Sequence, residues 1–290
     1  MNKASKRKRQ ELQMYIEREI VSESSVQAIV IIGSVAKGIA RTDSDIDAVV
    51  FLSPLNLYAV PCEAKWQPEK NIYHGIMSDV TDAIQLDFKR IDLTKWSDPT
   101  FVWPETMCAE LSEGWVAFDR NDQVRPLILE RTVFSDSIRQ ERLDIAITSA
   151  DWLLSSAERT WETLGSAVAH YRLDSAFDFL IGGIFAYNRQ WRTLPSRELS
   201  DLFQLTWLPQ NFEGQLLQGM NALSPDQDGY QKRVAVLRRF HQELIIKCQQ
   251  DGVYGENALD EAFIRQYEEP GRNWNMDEWN RLHQQGKLEA

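Results

Sequence analysis

Two aspartates one residue apart, Asp45 and Asp47, stand at the head of an apolar run over residues 46–52. Successive side chains on an extended chain alternate between faces, so both carboxylates project to the same side. Carboxylates that close repel, and burying them unpaired is costly. A divalent cation removes the conflict. Mg²⁺, or Mn²⁺ in its place, takes hard oxygen ligands, typically one or two carboxylates completed by substrate phosphates. Upstream, Gly33-Ser34 ends a second apolar run over residues 26–32. Backbone N–H groups at a strand-to-helix turn can cradle a phosphate. Glycine lets the backbone come close, and the Ser34 hydroxyl can donate one more hydrogen bond. Phosphates at Gly33 and Ser34, with metal at Asp45 and Asp47, make a site for ATP or another nucleoside triphosphate. Lys37, Arg41 and Ser44 lie near those phosphates by sequence.

A P-loop is the first rival. Gly33-Ser-Val-Ala-Lys-Gly38 has the right glycine spacing, but Ile39-Ala40 follows where a P-loop needs Lys and Ser or Thr. The lysine that neutralises phosphates and the hydroxyl that holds Mg²⁺ are both missing, which excludes it. Asp-x-Asp alone also describes a polar turn leading into a strand. The order of elements is what distinguishes this segment: apolar strand, Ile32-Gly33-Ser34, a spacer from Val35 through Ser44, Asp45-Ile46-Asp47, apolar strand. That pattern resembles the signature of the polymerase β-like nucleotidyltransferase superfamily. The resemblance implies transfer of a nucleoside monophosphate to a hydroxyl, with Asp45 and Asp47 holding the metal. It also implies a third carboxylate on a later strand, in an apolar-acid-apolar setting. Leu86-Asp87-Phe88 matches that setting, and Ile91-Asp92-Leu93 is the second choice. Alternation favours Asp87, which lies mid-strand on the polar side of Ile84, Leu86 and Phe88.

Around these residues the sequence places few elements with regular patterns. The first half reads as strands at 26–32, 46–52 and 83–91, with a short helix after Ser34 and a further short strand and turn over 114–120. A helix is expected from the N-terminus through about Ile20. After about Pro126 the character changes. Leu143, Ile147, Ala150, Leu154, Ala157, Trp161 and Leu164 step by three and four, the spacing of one buried helical stripe. A more apolar helix is expected from about 167 to 191. Ser224-Pro225 reads as a helix cap and first position, opening a helix that buries Val234, Leu237, His241, Leu244 and Cys248 and stops near Gly252. A last helix covers about 259–267. The expected fold class is α+β: a nucleotidyltransferase domain with a small mixed sheet over residues 1–125, then an all-helical substrate-binding domain over 126–290.

The chain has 290 residues, 43% apolar and 26% charged, which excludes a disordered or fibrous protein. Its net charge of −11 makes nucleic acid a poor partner, because phosphate backbones are held by Lys and Arg. The three cysteines are far apart and read as free thiols of a reducing cytoplasm. The four scattered histidines offer no zinc cluster, and no apolar run approaches a membrane span. The basic start, Lys3 to Arg9, lacks the apolar stretch of a signal peptide.

A nucleotidyltransferase domain followed by a helical bundle resembles the streptomycin and spectinomycin adenylyltransferases among the aminoglycoside nucleotidyltransferases of antibiotic resistance. It implies a small, cationic, hydroxylated acceptor bound between the domains. Tyr187, Asn188, Arg189, Trp191 and Trp207 are a local echo, and Asp144, Asp151, Asp174 and Asp178 are carboxylates that either meet a polycation or form solvated helix faces. The competing readings are the same chemistry on a protein or RNA, and a non-enzymatic, antitoxin-like interaction protein. Sequence does not fix the oligomeric state.

Overall fold

The structure, a computed structural model, describes residues 1–221 and 224–268. The chain divides into two compact units, Met1–Val133 and Phe134–Ala290.

The first unit is built on a mixed six-stranded sheet. Its strands are β1 (Val26–Ile31), β2 (Ile46–Leu52), β3 (Glu63–Gln67), β4 (Ile72–His74), β5 (Ile84–Asp92) and β6 (Trp115–Asp119), in the order β4-β3-β5-β2-β1-β6. The central strands are β-branched runs that bury nearly every residue. Packing, and not intrinsic preference, sets their place at the middle of the sheet. Only β2 and β5 run parallel; the other four pairings are antiparallel. One face is covered by α1 (Lys3–Tyr15), which continues as a π-helical turn over Ile16–Ile20, and by α2 (Gly33–Ala36). Leu12, Tyr15, Ile16 and Ile20 pack there against Ile46, Ala48, Leu86 and Phe88. The alternate residues of β2 and β5, Asp47 and Asp87, therefore point to the opposite face. Three short helices complete the unit: α3 (Leu93–Ser97), α4 (Glu105–Ser112) and α5 (Val124–Arg131).

The second unit is helical as far as described: α6 (Asp136–Ser155), α7 (Ala157–Tyr187), α8 (Pro195–Leu202), α9 (Phe212–Met220), α10 (Gln227–Gln250) and α11 (Ala258–Tyr267). The stripe expected over Leu143–Leu164 is interrupted at Ser156, and Leu164 is exposed. The chain leaves helical geometry at Gly165, φ +82°, a left-handed conformation that glycine adopts without a Cβ penalty. Across that break, Arg172 donates to the Thr160 hydroxyl at 2.9 Å. The cap of α10 is Asp226, whose carboxylate accepts from the Gly229 N–H at 2.9 Å, and not Ser224. A carboxylate two residues after Ser224 serves the same end of the helix with a full charge against its positive pole.

Among the bundle carboxylates Asp144 is buried, Asp151 is half-buried, and Asp174 and Asp178 lie on solvated helix faces. Asp144 is 2% exposed and accepts from Tyr254, Arg265 and Gln140. Asp174 and Asp178 pair with Arg233 and Arg192. Among the described residues no helix is long and apolar enough to cross a membrane. Cys62 is exposed, Cys108 and Cys248 are buried, and all three are free thiols.

Candidate active site

Strand pairing assembles the site. The Ile32 N–H donates to the Asp47 carbonyl at 3.0 Å, so the turn that follows β1 is tied to the head of β2. That turn is Gly33-Ser34, the start of α2. Gly33 has φ +63°, in the left-handed region, where a Cβ would clash with the following carbonyl. The first N–H groups of a helix have no intrahelical partner and remain available to an anion. On the other side of β2, Asp47 and Asp87 are Cα partners in the parallel β2–β5 ladder. Asp45 sits just before β2, presented by a turn in which the Ser44 hydroxyl accepts from the Arg41 N–H at 2.9 Å. Asp45, Asp47 and Asp87 are half-buried, and one carboxylate oxygen from each lies within 4.8 Å of the others.

This arrangement chooses between the two candidates for the third carboxylate. Asp92 ends β5 and caps α3, accepting from the Thr94 N–H at 2.9 Å. Five residues of extended strand separate it from Asp87, roughly 16 Å. Asp87 stands with Asp45 and Asp47, and Asp92 does not.

The structure places the remaining expected residues less directly. Lys37 forms an ion pair with Glu113 at 2.9 Å. Arg41 pairs with Asp43 at 3.2 Å on the surface. In the helical unit the Tyr187 to Trp207 segment is knitted together. Asn188 exchanges hydrogen bonds with the Trp207 backbone, and the Tyr187 and Trp207 rings stack edge-on at 4.7 Å. The Tyr187 hydroxyl donates to Asp251, and Arg189 pairs with Asp136.

Sequence reading missed one neighbour of the triad, Glu63. It faces Asp87 as its Cα partner in the antiparallel β3–β5 ladder and is exposed. Its signal was the alternation of Ala64 and Trp66 with Glu63, Lys65 and Gln67, a half-buried strand five residues long. Lys89, two residues beyond Asp87, pairs with Glu110 of α4 at 2.6 Å.

Partial burial raises the proton affinity of Asp87, and the negative charges of Glu63 and Asp45 raise it further. Like charges that close favour the neutral acid. The cluster therefore carries a repulsion that a cation relieves, and three hard oxygen donors within one ion's reach suit Mg²⁺ or Mn²⁺. This has a measurable consequence for the metal-free protein. A carboxyl whose folded proton affinity exceeds its unfolded one costs stability once ionised. The cost is absent below the ordinary Asp value of about 3.9 and grows as pH rises from there through the higher folded value. In EDTA, Asp87→Asn is expected to raise Tm at pH 7 by about 1–2 °C, a few tenths of a kcal/mol once solvent screening is counted. The gain is expected to vanish at pH 3 and to reverse when Mg²⁺ or Mn²⁺ is added, because only the wild type then gains a third ligand. Thermal melts at the two pH values decide it; an Asn variant no more stable than wild type at pH 7 would contradict the repulsion.

Residues 14–89 match the family model described as a nucleotidyltransferase domain. The matched stretch holds Gly33, Ser34, Asp45, Asp47 and Asp87. No curated protein matches the chain. Among solved structures, a nucleotidyltransferase-like protein from Exiguobacterium sibiricum 255-15 is similar at 15% identity and a TM-score of 0.44, covering 92% of this chain and 83% of its own.

Proposed function

We propose that this protein moves a nucleoside monophosphate, AMP in the first instance, from a metal-bound nucleoside triphosphate to a hydroxyl of a small cationic acceptor. The observation that carries the reading is the convergence of Asp45, Asp47 and Asp87 within 4.8 Å, inside the segment that matches a nucleotidyltransferase domain. Asp45 and Asp47 would hold the cation, and Asp87 would share it. When bound, the cation neutralises charge on the attacking and leaving oxygens of an in-line displacement. With one oxygen toward the cation, Asp87 would keep the other to accept the proton of the attacking hydroxyl. The backbone at Gly33 and the Ser34 hydroxyl orient the phosphates.

The acceptor's charge is read from the surroundings. Glu63 adds negative potential at Asp87, where Lys89 offsets its partner Glu110, and the whole chain carries −11. A hydroxylated amine or guanidine, of which aminoglycosides are one class, is steered by that field and oriented by a carboxylate. The test is mass spectrometry of products formed from ATP and Mg²⁺ with a panel of cationic, neutral and anionic alcohols at low and high salt. A nucleotidylated cationic acceptor is expected, formed more slowly at sub-saturating acceptor as salt rises, since screening weakens steering. Preference for a neutral or anionic alcohol would sink the acceptor class alone. No transfer from any triphosphate to any acceptor would sink the reaction.

A further inference from the structure

The first unit also holds a cavity of about 670 Å³, a metabolite-sized space, whose walls include none of the three aspartates. It lies where α1 meets the turn before β2, the strand β3 and the segment leading into β5. We propose that this cavity binds a phosphate-bearing anion, with Lys8 as its central cation. The inference does not rest on the nucleotidyl-transfer reading.

Lys8 is 5% exposed, lines the cavity, and has no hydrogen-bond or ion-pair partner among the described residues. Its aliphatic stem is buried while its ammonium stays open to the cavity. Glu11, on the same helix and in the same wall, gives one carboxylate oxygen to Arg7 at 3.0 Å, and its other oxygen is buried without a hydrogen-bond partner. Two further cations line the same walls and are met only by neutral oxygens. Lys65 donates to the Ser78 carbonyl at 2.5 Å, and Arg18 to the Pro68 carbonyl at 2.5 Å. Those carbonyls satisfy N–H groups and leave the charges uncompensated. The Ser44 hydroxyl accepts from the Arg41 N–H, which leaves its own O–H to donate. Two ammoniums, a guanidinium and a hydroxyl around one metabolite-sized space call for a ligand with several anionic oxygens, the chemistry of a phosphate group. Asp43, Glu69 and Asp82, which also line the cavity, are exposed. Solvent screens them more strongly than it screens Lys8.

Titration calorimetry on the full chain in EDTA tests this, with inorganic phosphate, pyrophosphate and a hexose monophosphate as probes. EDTA removes metal-dependent nucleotide binding at the aspartates, so the two sites fail separately. Saturable binding of at least one probe is expected, weakened roughly tenfold or more by Lys8→Met and by Lys65→Gln, and unchanged by Asp87→Asn. Tightest binding of pyrophosphate would identify the leaving group of a triphosphate reaction as the ligand's source. Tightest binding of the hexose monophosphate would identify an organic phosphate. If Lys8→Met does not fold, Lys65→Gln decides. Absence of saturable binding by all three probes, or wild-type affinity in the folded variants, overturns the proposal.

Discussion

Asp45→Asn, Asp47→Asn and Asp87→Asn are each expected to lower nucleotidyl transfer by about a thousandfold or more, with the fold intact. A metal-centred site supplies several kcal/mol to the transition state, and each 1.36 kcal/mol is tenfold in rate. Asn keeps the shape of Asp and removes the charge, so a structural role and a ligand role separate cleanly. Asp92→Asn is the matched control. Its side chain caps α3, a place that Asn fills about as well as Asp, so little effect on either stability or turnover is expected. EDTA should reproduce the loss in the wild type, and Mn²⁺ or Mg²⁺ should restore it. Near-wild-type turnover in any of the three triad variants, checked alongside circular dichroism, removes that residue from the site. An Asp92 variant worse than the Asp87 variant would move the site along β5.

The largest loss of stability is expected at Asp144, in the helical unit. Its carboxylate is 2% exposed and accepts from the Tyr254 hydroxyl at 2.6 Å, from two nitrogens of Arg265 at 2.8 and 2.9 Å, and from Gln140 at 3.0 Å. It fastens α11, through Arg265, and the Tyr254 loop to α6. Asp144→Ala strips one acceptor from three donors at once. Removing one partner of a buried pair costs more than the pair contributes, because the other is left desolvated and uncompensated. The Arg265 side chain is 39% exposed and recovers some water, which puts the cost at about 2–4 kcal/mol. For a unit of this size that is a fall in Tm of roughly 5–10 °C. Asp144→Asn should fall less, since it still accepts a hydrogen bond. A thermal melt of the Ala variant within about 1 °C of wild type would show that the network carries nothing.

The first unit was legible in the sequence for a physical reason. Its central strands are uninterrupted β-branched runs, and the residues with chemistry sit at their ends, where the chain turns. Alternation favoured Asp87 over Asp92, because β5 is half-exposed and its polar side is visible. Strand β3 escaped notice because its five residues carry two charges and a glutamine around Ala64 and Trp66, and with it went Glu63. The interruption at Ser156 was invisible since the three-and-four stepping runs across it in phase. The role of Asp144 was also hidden. A carboxylate on a helix reads as solvated until its partners, Tyr254 and Arg265, arrive from more than a hundred residues away.

The register that pairs Asp47 with Asp87 spans forty positions of sequence. A chain still being made therefore carries Asp45 and Asp47 without their third member. At about 5–20 residues per second, the acidic pair waits roughly 2–8 seconds for Asp87 to be added. No amino-terminal fragment ending before β5 holds the complete cage, so a truncated product would be exposed as an incomplete ligand set. The cage exists only after the sheet has closed over the whole excursion from β2 to β5. The three-carboxylate set is completed only in the finished domain, at a time set by synthesis.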